Sequence, residues 1–454
     1  MTTQHLAAAV EIPRAGVTPL RRLVPAMLSS LLGFAIAMIT PLQLLLTLRL
    51  STIAGDDATT AFGIVTGFGA LVALAFGPIA GRLSDRTRAR LGRRRTWILT
   101  GSLLLSLTLV AIAAATEVWQ VVVLWCVAQS VGNLQFVALS ALVADQVPEH
   151  RRGGVSGLMG MIFAVGPLAG LVLTNRFPGG SHAQWWAIAA AGLALSLLAV
   201  ALLRDPRNTG PKQPLNLRTI ATTFWFNPRR YPALGWAWLV RFLITCAYAS
   251  TTYNTFLLMQ RFEVSAQEVG GLVLRMSLLM VGCLAVASAG AGYLSDAVRR
   301  QKPFVACAGA LAAAGLVLTA TASDFGQLYV ASALLGLGTG TFFAVDLALC
   351  VRVLPDGSDA GKDLAIINLA NSLPQSLVPF AAPVLLALGG FHALYLTLAV
   401  VGILGAVAVL RIPEVGRERE PSRWTVPIIR VPAATLQPEA VKANTSPESS
   451  PIQG

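Results

Sequence analysis

The sequence predicts an all-α polytopic membrane protein with twelve transmembrane helices in two pseudo-symmetric six-helix halves. Three observations carry this. The 454 residues are 55% hydrophobic and only 12% charged, and the apolar residues fall in runs of about 20, the length that crosses a hydrocarbon core. One short motif occurs twice, half a chain apart: Gly81-Arg82-Leu83-Ser84-Asp85-Arg86 leads into Leu91-Gly92-Arg93-Arg94-Arg95, and Gly292-Tyr293-Leu294-Ser295-Asp296 leads into Arg299-Arg300-Gln301-Lys302. Lys and Arg gather in alternate loops, as topology in a membrane requires.

Taken in order, residues 1–22 form a cytoplasmic N-terminal segment, with none of the apolar core and small-residue cleavage site of a secretory leader. A first six-helix bundle over 23–203 has helices near 23–48, 61–82, 96–116, 119–145, 154–176 and 184–203. The polar, proline-bearing stretch 204–233 is a cytoplasmic linker. A second bundle over 234–411 has helices near 234–260, 268–293, 303–322, 326–353, 362–388 and 391–411. Long continuous apolar runs favour helices over the alternating ten-residue segments of a barrel. Residues 412–454, rich in Pro, Ser, Glu and Arg, read as a disordered cytoplasmic tail.

A soluble domain is about a quarter charged, so the charge deficit along the whole chain excludes a soluble protein with one anchor. The net charge of +13 does not point to nucleic acid, because its carriers sit in short loops between apolar runs. With the N-terminus cytoplasmic, 29 of the 34 Lys and Arg residues fall on the cytoplasmic side. Only Arg49, Arg176 and Arg261 fall opposite, and Arg241 and Arg275 lie inside helices. This places a multi-pass protein in the cytoplasmic membrane with both termini cytoplasmic. The five cysteines all lie in apolar segments without metal or redox spacing and read as small packing residues. No nucleophile–base pair, metal cluster or phosphate loop points to an enzyme or to a cofactor.

The duplicated loop, the twelve helices and the long middle linker together resemble the major facilitator superfamily over roughly residues 20–411. The longer run Ser84-Asp85-Arg86-Thr87-Arg88-Ala89-Arg90-Leu91-Gly92-Arg93-Arg94-Arg95 is similar to the loop between helices 2 and 3 of sucrose-type and glycoside/pentoside/hexuronide permeases. The sequence departs from the cation-coupled glycoside group, whose helix 2 carries acidic residues: Ala61 to Ile79 has none, which puts sodium coupling of that kind in doubt. The resemblance implies a membrane transporter working by alternating access without ATP, a monomer surrounded by lipid, with a small organic solute as partner and protons as coupling ion in a symport.

It also implies roles for particular residues. Gly81, Asp85, Arg86, Gly92, Arg93 and Arg94, with Gly292, Asp296 and Arg299 in the second copy, would form a cytoplasmic gate. There Asp85 would accept hydrogen bonds from a helix N-terminus or from an arginine of the other half. The plainer reading is a solvated positive loop. Asp145, ending helix 4 beside Arg151 and Arg152, joins the gate. Solute in this superfamily binds at mid-membrane on helices 1, 4, 7 and 10, where this chain offers Gln43, Gln129 and Asn133, and the stripe Arg241, Thr245, Tyr248, Thr252 at i, i+4, i+7 and i+11. Helix 11 adds Asn371 and Gln375. An intramembrane arginine needs a cavity or a partner, and Arg241 either faces the solute or snorkels to the cytoplasmic interface. Asp346 is the proton-coupling candidate, the one carboxylate well inside a helix. A structural ion pair with Arg241 or Arg275 is the equal alternative.

Three functions remain open. One is import of a polar solute such as a sugar or glycoside. Another is export of a drug or metabolite, for which Gly166-Pro167-Leu168-Ala169-Gly170 partly resembles the antiporter motif of the superfamily. The third is a non-transporting sensor or pigment-delivery protein.

Overall fold

The computed structural model describes residues 18–205, 232–298, 300–352 and 360–412, and among these every regular element is helical. The expected tail, most of the linker and most of the N-terminal segment lie outside the described residues. In the first half, α1 (Leu20–Thr40), a π-helical turn at Pro41–Leu45 and α2 (Leu46–Ala54) make one crossing. It is followed by α3 (Ala58–Arg86), α4 (Arg93–Ala114), α5 (Val118–Gln146), α6 (Glu149–Thr174) and α7 (His182–Leu202). In the second half, α8 (Pro232–Ala249), a 3-10 turn at Ser250–Tyr253 and α9 (Asn254–Gln260) make one crossing. Then come α10 (Val269–Val298), α11 (Lys302–Thr321), α12 (Phe325–Arg352) and α13 (Ala360–Ala408). The last is two crossings joined at Gly389 and Gly390, whose backbone leaves the helix, Gly390 with φ 63°.

Among the described residues, ten helical stretches are long and apolar enough to span a bilayer, and two of them, Leu20–Arg86 and Leu369–Arg411, hold a pair of crossings each. Many large apolar side chains stand exposed on these helices, among them Val286 at 71% and Val384 at 62%, an extent of apolar surface that suits contact with lipid. The first helix extends from residue 20 to 54 rather than 23 to 48, because the π turn lets it continue past Pro41. Proline has no N–H to give Ala37, so the ladder slips by one and Leu46 N–H reaches back to Pro41 O.

The two halves repeat each other in packing. In the first, α5 packs on α3 and α4, and α7 on α1 and α4. In the second, α12 packs on α10 and α11, and α13 on α8 and α11. The structure also exposes repeats that the sequence analysis missed. Ala115-Thr116-Glu117 with Gln120 matches Ala322-Ser323-Asp324 with Gln327. In each, the glutamine Oε1 accepts a backbone N–H ahead of the helix, from Thr116 at 2.8 Å and from Ser323 at 2.9 Å. Arg49 donates to Ala115 O, and Arg261 donates to Ala320 O and Ala322 O at 2.6 and 2.8 Å. An arginine ending the first crossing of each half thus caps the carbonyl end of the third.

Small residues set the closest helix approaches, as expected where lipid gives no hydrophobic drive between helices. On α12, Gly336 and Gly340 lie on α10 while Gly338 lies on α11. A Cβ at Gly336 or Gly340 would stand 2.2 Å from the carbonyl oxygen of Met280 or Leu284. Gly340→Ala is therefore expected to lower the thermal midpoint of the purified protein by the equivalent of about 1–3 kcal/mol. Gly157→Ala, where nothing lies within 4 Å, should leave it unchanged or raise it. Equal midpoints for the two variants would refute the close packing of α12.

Candidate functional site

The two halves meet along two seams, α3 against α13 and α6 against α10. The contacts concentrate at the end away from the duplicated motif, here the far end. Asn175 Nδ2 donates to Gly270 O at 3.1 Å, and Gly179 sits so near Ala266 that a Cβ would overlap its carbonyl oxygen. On the other seam Gly63 admits Pro379 and Pro383, and Gly67 admits Phe380. Phe62 of α3 lies edge-on to Tyr253 and Phe256 across the seam, with ring centres 5.4 and 5.3 Å away. Tyr253 donates its hydroxyl to Pro379 O at 3.0 Å. That carbonyl lacks its normal helical donor because residue 383 is also proline. The two irregular turns join as well: Thr255 Oγ1 donates to Gln43 O at 2.5 Å. Toward the motif end the seam parts. Gly153, Gly157 and Gly160 share one face of α6 and have open space where a Cβ would stand.

Beneath the far-end seal lies a cavity of about 170 Å³. Its walls come from α1 and the π turn, α6, the 3-10 turn and α9, α10, and α12. Ile39, Phe163, Met276, Met280 and Leu335 give it an apolar body, and Gln43, Thr251, Asn254, Ser277 and Ser332 are its polar groups. Ala164 and Pro167, on the same face of α6 as the open glycines, continue its wall.

Gln43 is the one sequence-predicted binding residue that lines this cavity. Tyr248 and Thr252 do not, and for Thr252 the reason is helical phase. A stripe drawn at 3.6 residues per turn fails where Ser250–Tyr253 winds at about three. Thr251 and Asn254 take the lining positions instead, Asn254 Oδ1 accepting from Tyr395 at 3.1 Å. Tyr248 is buried against Phe342 and Gly338. Gln129 and Asn133 turn toward α3, near Gly69 and Gly77, and Asn133 donates back to Gln129 O. Asn371 is half-buried and Gln375 exposed on α13. Gln135, unremarked in the sequence, is buried inside the first half and donates to Ser196 Oγ at 3.0 Å. Gly166 and Gly170 serve packing, against Ala35 and Thr40 of the first crossing.

Arg241 and Asp346 form an ion pair of 2.7 Å between α8 and α12. The residues are 8% and 3% exposed, so Arg241 does not snorkel outward. Arg275 is exposed on α10. At 1.5 Å per residue the pair lies roughly 15 Å along its helices from Thr251 and Leu335, toward the motif end. It is not part of the cavity wall.

At the motif end of the first half, Arg94 is the centre of a polar cluster. Its three guanidinium nitrogens reach Asp85 at 2.7 Å, Asp145 at 2.8 Å and Ser84 Oγ at 2.8 Å. Arg93 also holds Asp145 at 2.8 Å. Asp85, half exposed, thus has an arginine partner within its own half. Asp205, just past α7, accepts the backbone N–H groups of Arg94 and Arg95 at 2.5 and 3.0 Å and caps α4. Gly92 before it has φ 96° and touches Asp205, which no side chain would permit. Gly81 contacts Val137, Arg86 is half-buried, and Gly292 has open space around it. The Asp296 side chain and Arg299 lie outside the described residues.

The sequence profile described as Major Facilitator Superfamily matches residues 23–290 and 274–445. Among curated proteins, the chain is 33% identical over 152 residues to the class E tetracycline resistance protein of Escherichia coli, covering 32% of this chain and 35% of that one. It is 31% identical over 137 residues to the multidrug efflux pump Tap of Mycolicibacterium fortuitum, covering 30% and 33%. The chain thus spans about a third of the length of the curated relatives it matches. Solved structures share the fold over 86% of this chain. A point mutant of the nucleoside transporter NupG aligns with TM-score 0.66 and 13% identity over 99% of its length. A bacterial homolog of the human lysosomal transporter Spinster, inward-facing and unoccupied, aligns with TM-score 0.61 and 13% identity over 95%. With its profile matched along both halves and its packing repeated between them, the chain belongs to the Major Facilitator Superfamily.

Proposed function

We propose that this protein is a secondary transporter that moves a small organic solute by alternating access, seen here closed at the outer face and open to the cytoplasm. The observation that carries this is the asymmetric seam: sealed by backbone and aromatic contacts at one end, parted along α6 at the other, with a cavity under the seal. The basic loops of the motif end assign that end to the cytoplasm by the positive-inside rule. In this reading the linker 204–233 joins two bundles, 23–203 and 234–411, that rock about the cavity. The roles for which the curated relatives are named, tetracycline resistance and multidrug efflux, and the apolar cavity favour export over uptake of a sugar. A sugar would need a polar partner for each of several hydroxyls.

The gate reading gains support from the cluster around Arg94. It holds the motif loop, helix α4 and the end of α5 as one rigid unit, which can close against the second half. Coupling to protons would use Asp346. Protonating it would remove the counter-charge of a buried Arg241 and bias the halves toward the state in which that arginine finds another partner.

Two experiments in proteoliposomes follow, with tetracycline as the first solute and an imposed proton gradient. Replacing only Asp346 by Asn should abolish proton-driven accumulation while downhill flux persists. The double variant Arg241→Leu/Asp346→Met, which removes both charges together and is tolerated where single removal costs about 3–5 kcal/mol, should be folded yet uncoupled. If the double variant accumulates solute like the parent, the pair is structural and the coupling role fails. Arg94→Lys should lower flux at least tenfold, because an ammonium cannot bridge two carboxylates and a hydroxyl as the planar fork does. Unchanged flux in Arg94→Lys would remove the gate role from this cluster.

A further inference from the structure

We infer that the cavity recognises an uncharged solute by a strong hydrogen-bond acceptor, the carbonyl oxygen of a ketone, ester or amide, which takes N–H groups from Gln43 of the first half and Asn254 of the second. This deepens the transport reading and rests on it for the claim that the bound solute is carried. The recognition itself follows from the geometry of the two amides.

Gln43 belongs to the π turn of the first crossing. Asn254 begins α9, next in sequence to Thr255, whose hydroxyl donates to the Gln43 backbone carbonyl. The join of the two irregular turns thus brings two side-chain amides to one cavity from opposite halves. In each, the oxygen end is turned away from the space. Asn254 Oδ1 accepts the Tyr395 hydroxyl at 3.1 Å, which orients the amide and leaves its Nδ2 N–H groups to the cavity. Gln43 Oε1 is enclosed by protein, so Nε2 is the end that meets the space. The reverse orientation would enclose two N–H donors in place of one carbonyl oxygen, a larger loss of hydrogen bonds to water.

The remaining polar groups do not offer a carbonyl a fixed donor. Thr251 gives its hydroxyl proton to Tyr248 O at 3.1 Å, and Ser332 gives its own to Leu328 O at 2.8 Å. The Ser277 hydroxyl rotates and can give or take a proton, so it sets no preference. The fixed donors are therefore the amide N–H groups. A solute that displaces water from them without supplying an acceptor leaves them unpaired.

The body of the solute follows from the walls. Among the described lining residues none is charged, so an ion entering would lose water without gaining a counter-charge. Met276 and Met280 line the space with Phe163, a polarisable surface suited to a flat or aromatic body. At about 170 Å³ the cavity is smaller than the roughly 300–1,000 Å³ of sites that enclose a drug-sized ligand. It takes a small solute, or one end of a larger one.

The test uses three probes of similar shape: 2-acetylnaphthalene, its isostere 2-isopropenylnaphthalene, in which C=CH₂ replaces C=O, and the 2-naphthyltrimethylammonium cation. Each is tritiated and dialysed to equilibrium against the full-length protein in nanodiscs, with empty nanodiscs correcting for lipid partition. The ketone should bind about tenfold tighter than the alkene, and the cation should neither bind nor compete. Gln43→Leu should shrink the ketone preference to about threefold or less with alkene binding unchanged. Asn254→Asp keeps an acceptor for Tyr395 but replaces the N–H groups by a carboxylate oxygen. At pH 8 it should lower the ketone preference likewise and let the cation compete. Equal binding of ketone and alkene, competition by the cation in the parent protein, a ketone preference unchanged in both variants, or failure of all three probes to bind would each overturn the inference. Carbonyl-selective binding by a protein that moves neither tetracycline nor any bound probe faster than empty liposomes do would instead overturn the transport reading and leave the recognition standing. Tetracycline flux that ketone and alkene inhibit alike would overturn the inference and leave the transport reading standing.

Discussion

No water reaches the hydrocarbon interior to complete a broken backbone hydrogen bond. A chain that crosses it repeatedly must therefore stay helical or supply its own partners wherever it does not. The described residues meet this demand at the two irregular turns that meet at the seam. At Pro41–Leu45 the ladder slips to a π turn, and the Gln43 carbonyl accepts the Thr255 hydroxyl from the other half. At Ser250–Tyr253 the helix tightens to 3-10 winding, and Tyr253 satisfies the carbonyl that Pro383 leaves without a donor on α13. The cavity exists because these departures close on one another. They bend the crossings around a space while keeping its roof dry, and they turn Gln43, Thr251 and Asn254 into it.

The two arginines buried among the described residues meet the cost of charge in different ways. Arg94 lies at a helix start near the membrane surface, where its partners Asp85 and Asp145 stay partly wet and the third donor goes to Ser84. Its role is to tie loop, helix start and helix end together. Arg241 lies within α8 on a carboxylate still more buried than itself. There the attraction is strong and so is the desolvation penalty. A group of that kind can bias a conformational equilibrium, whereas a surface pair has little leverage on one.

Duplication gave both halves the same scaffold but not the same polar content. The arginine caps at Arg49 and Arg261, the glutamine turns at Gln120 and Gln327, and the paired glycines at 179–180 and 389–390 all recur. The intramembrane polar groups do not. The first half buries Gln135 with Ser196, and the second buries Arg241 with Asp346. Shared features fix turns and helix ends, whereas each unshared pair is buried between helices of a single half.

The sequence by itself determined the crossings, the repeat and the resemblance to the family. Apolar length and the grouping of basic residues are properties of the chain alone, judged directly by lipid thickness. It also brought forward Arg241 and Asp346, because charge inside a membrane is rare enough to be conspicuous, and Arg94 and Asp145 through the resemblance that the motif loop carries. Only the tertiary structure decided which polar residues share a cavity. Gln129 and Asn133 follow a regular helical stripe yet face α3, while Thr251 and Asn254 reach the cavity through a 3-10 turn no stripe would suggest. Periodicity presumes constant winding, and the winding here is set by prolines and contacts from the other half. The closure of one end is beyond the sequence for the same reason. Carbonyl oxygens at Gln43, Pro379, Ala266 and Gly270 make the seal, and a backbone atom's partner is fixed by three-dimensional proximity, which side-chain identity does not encode.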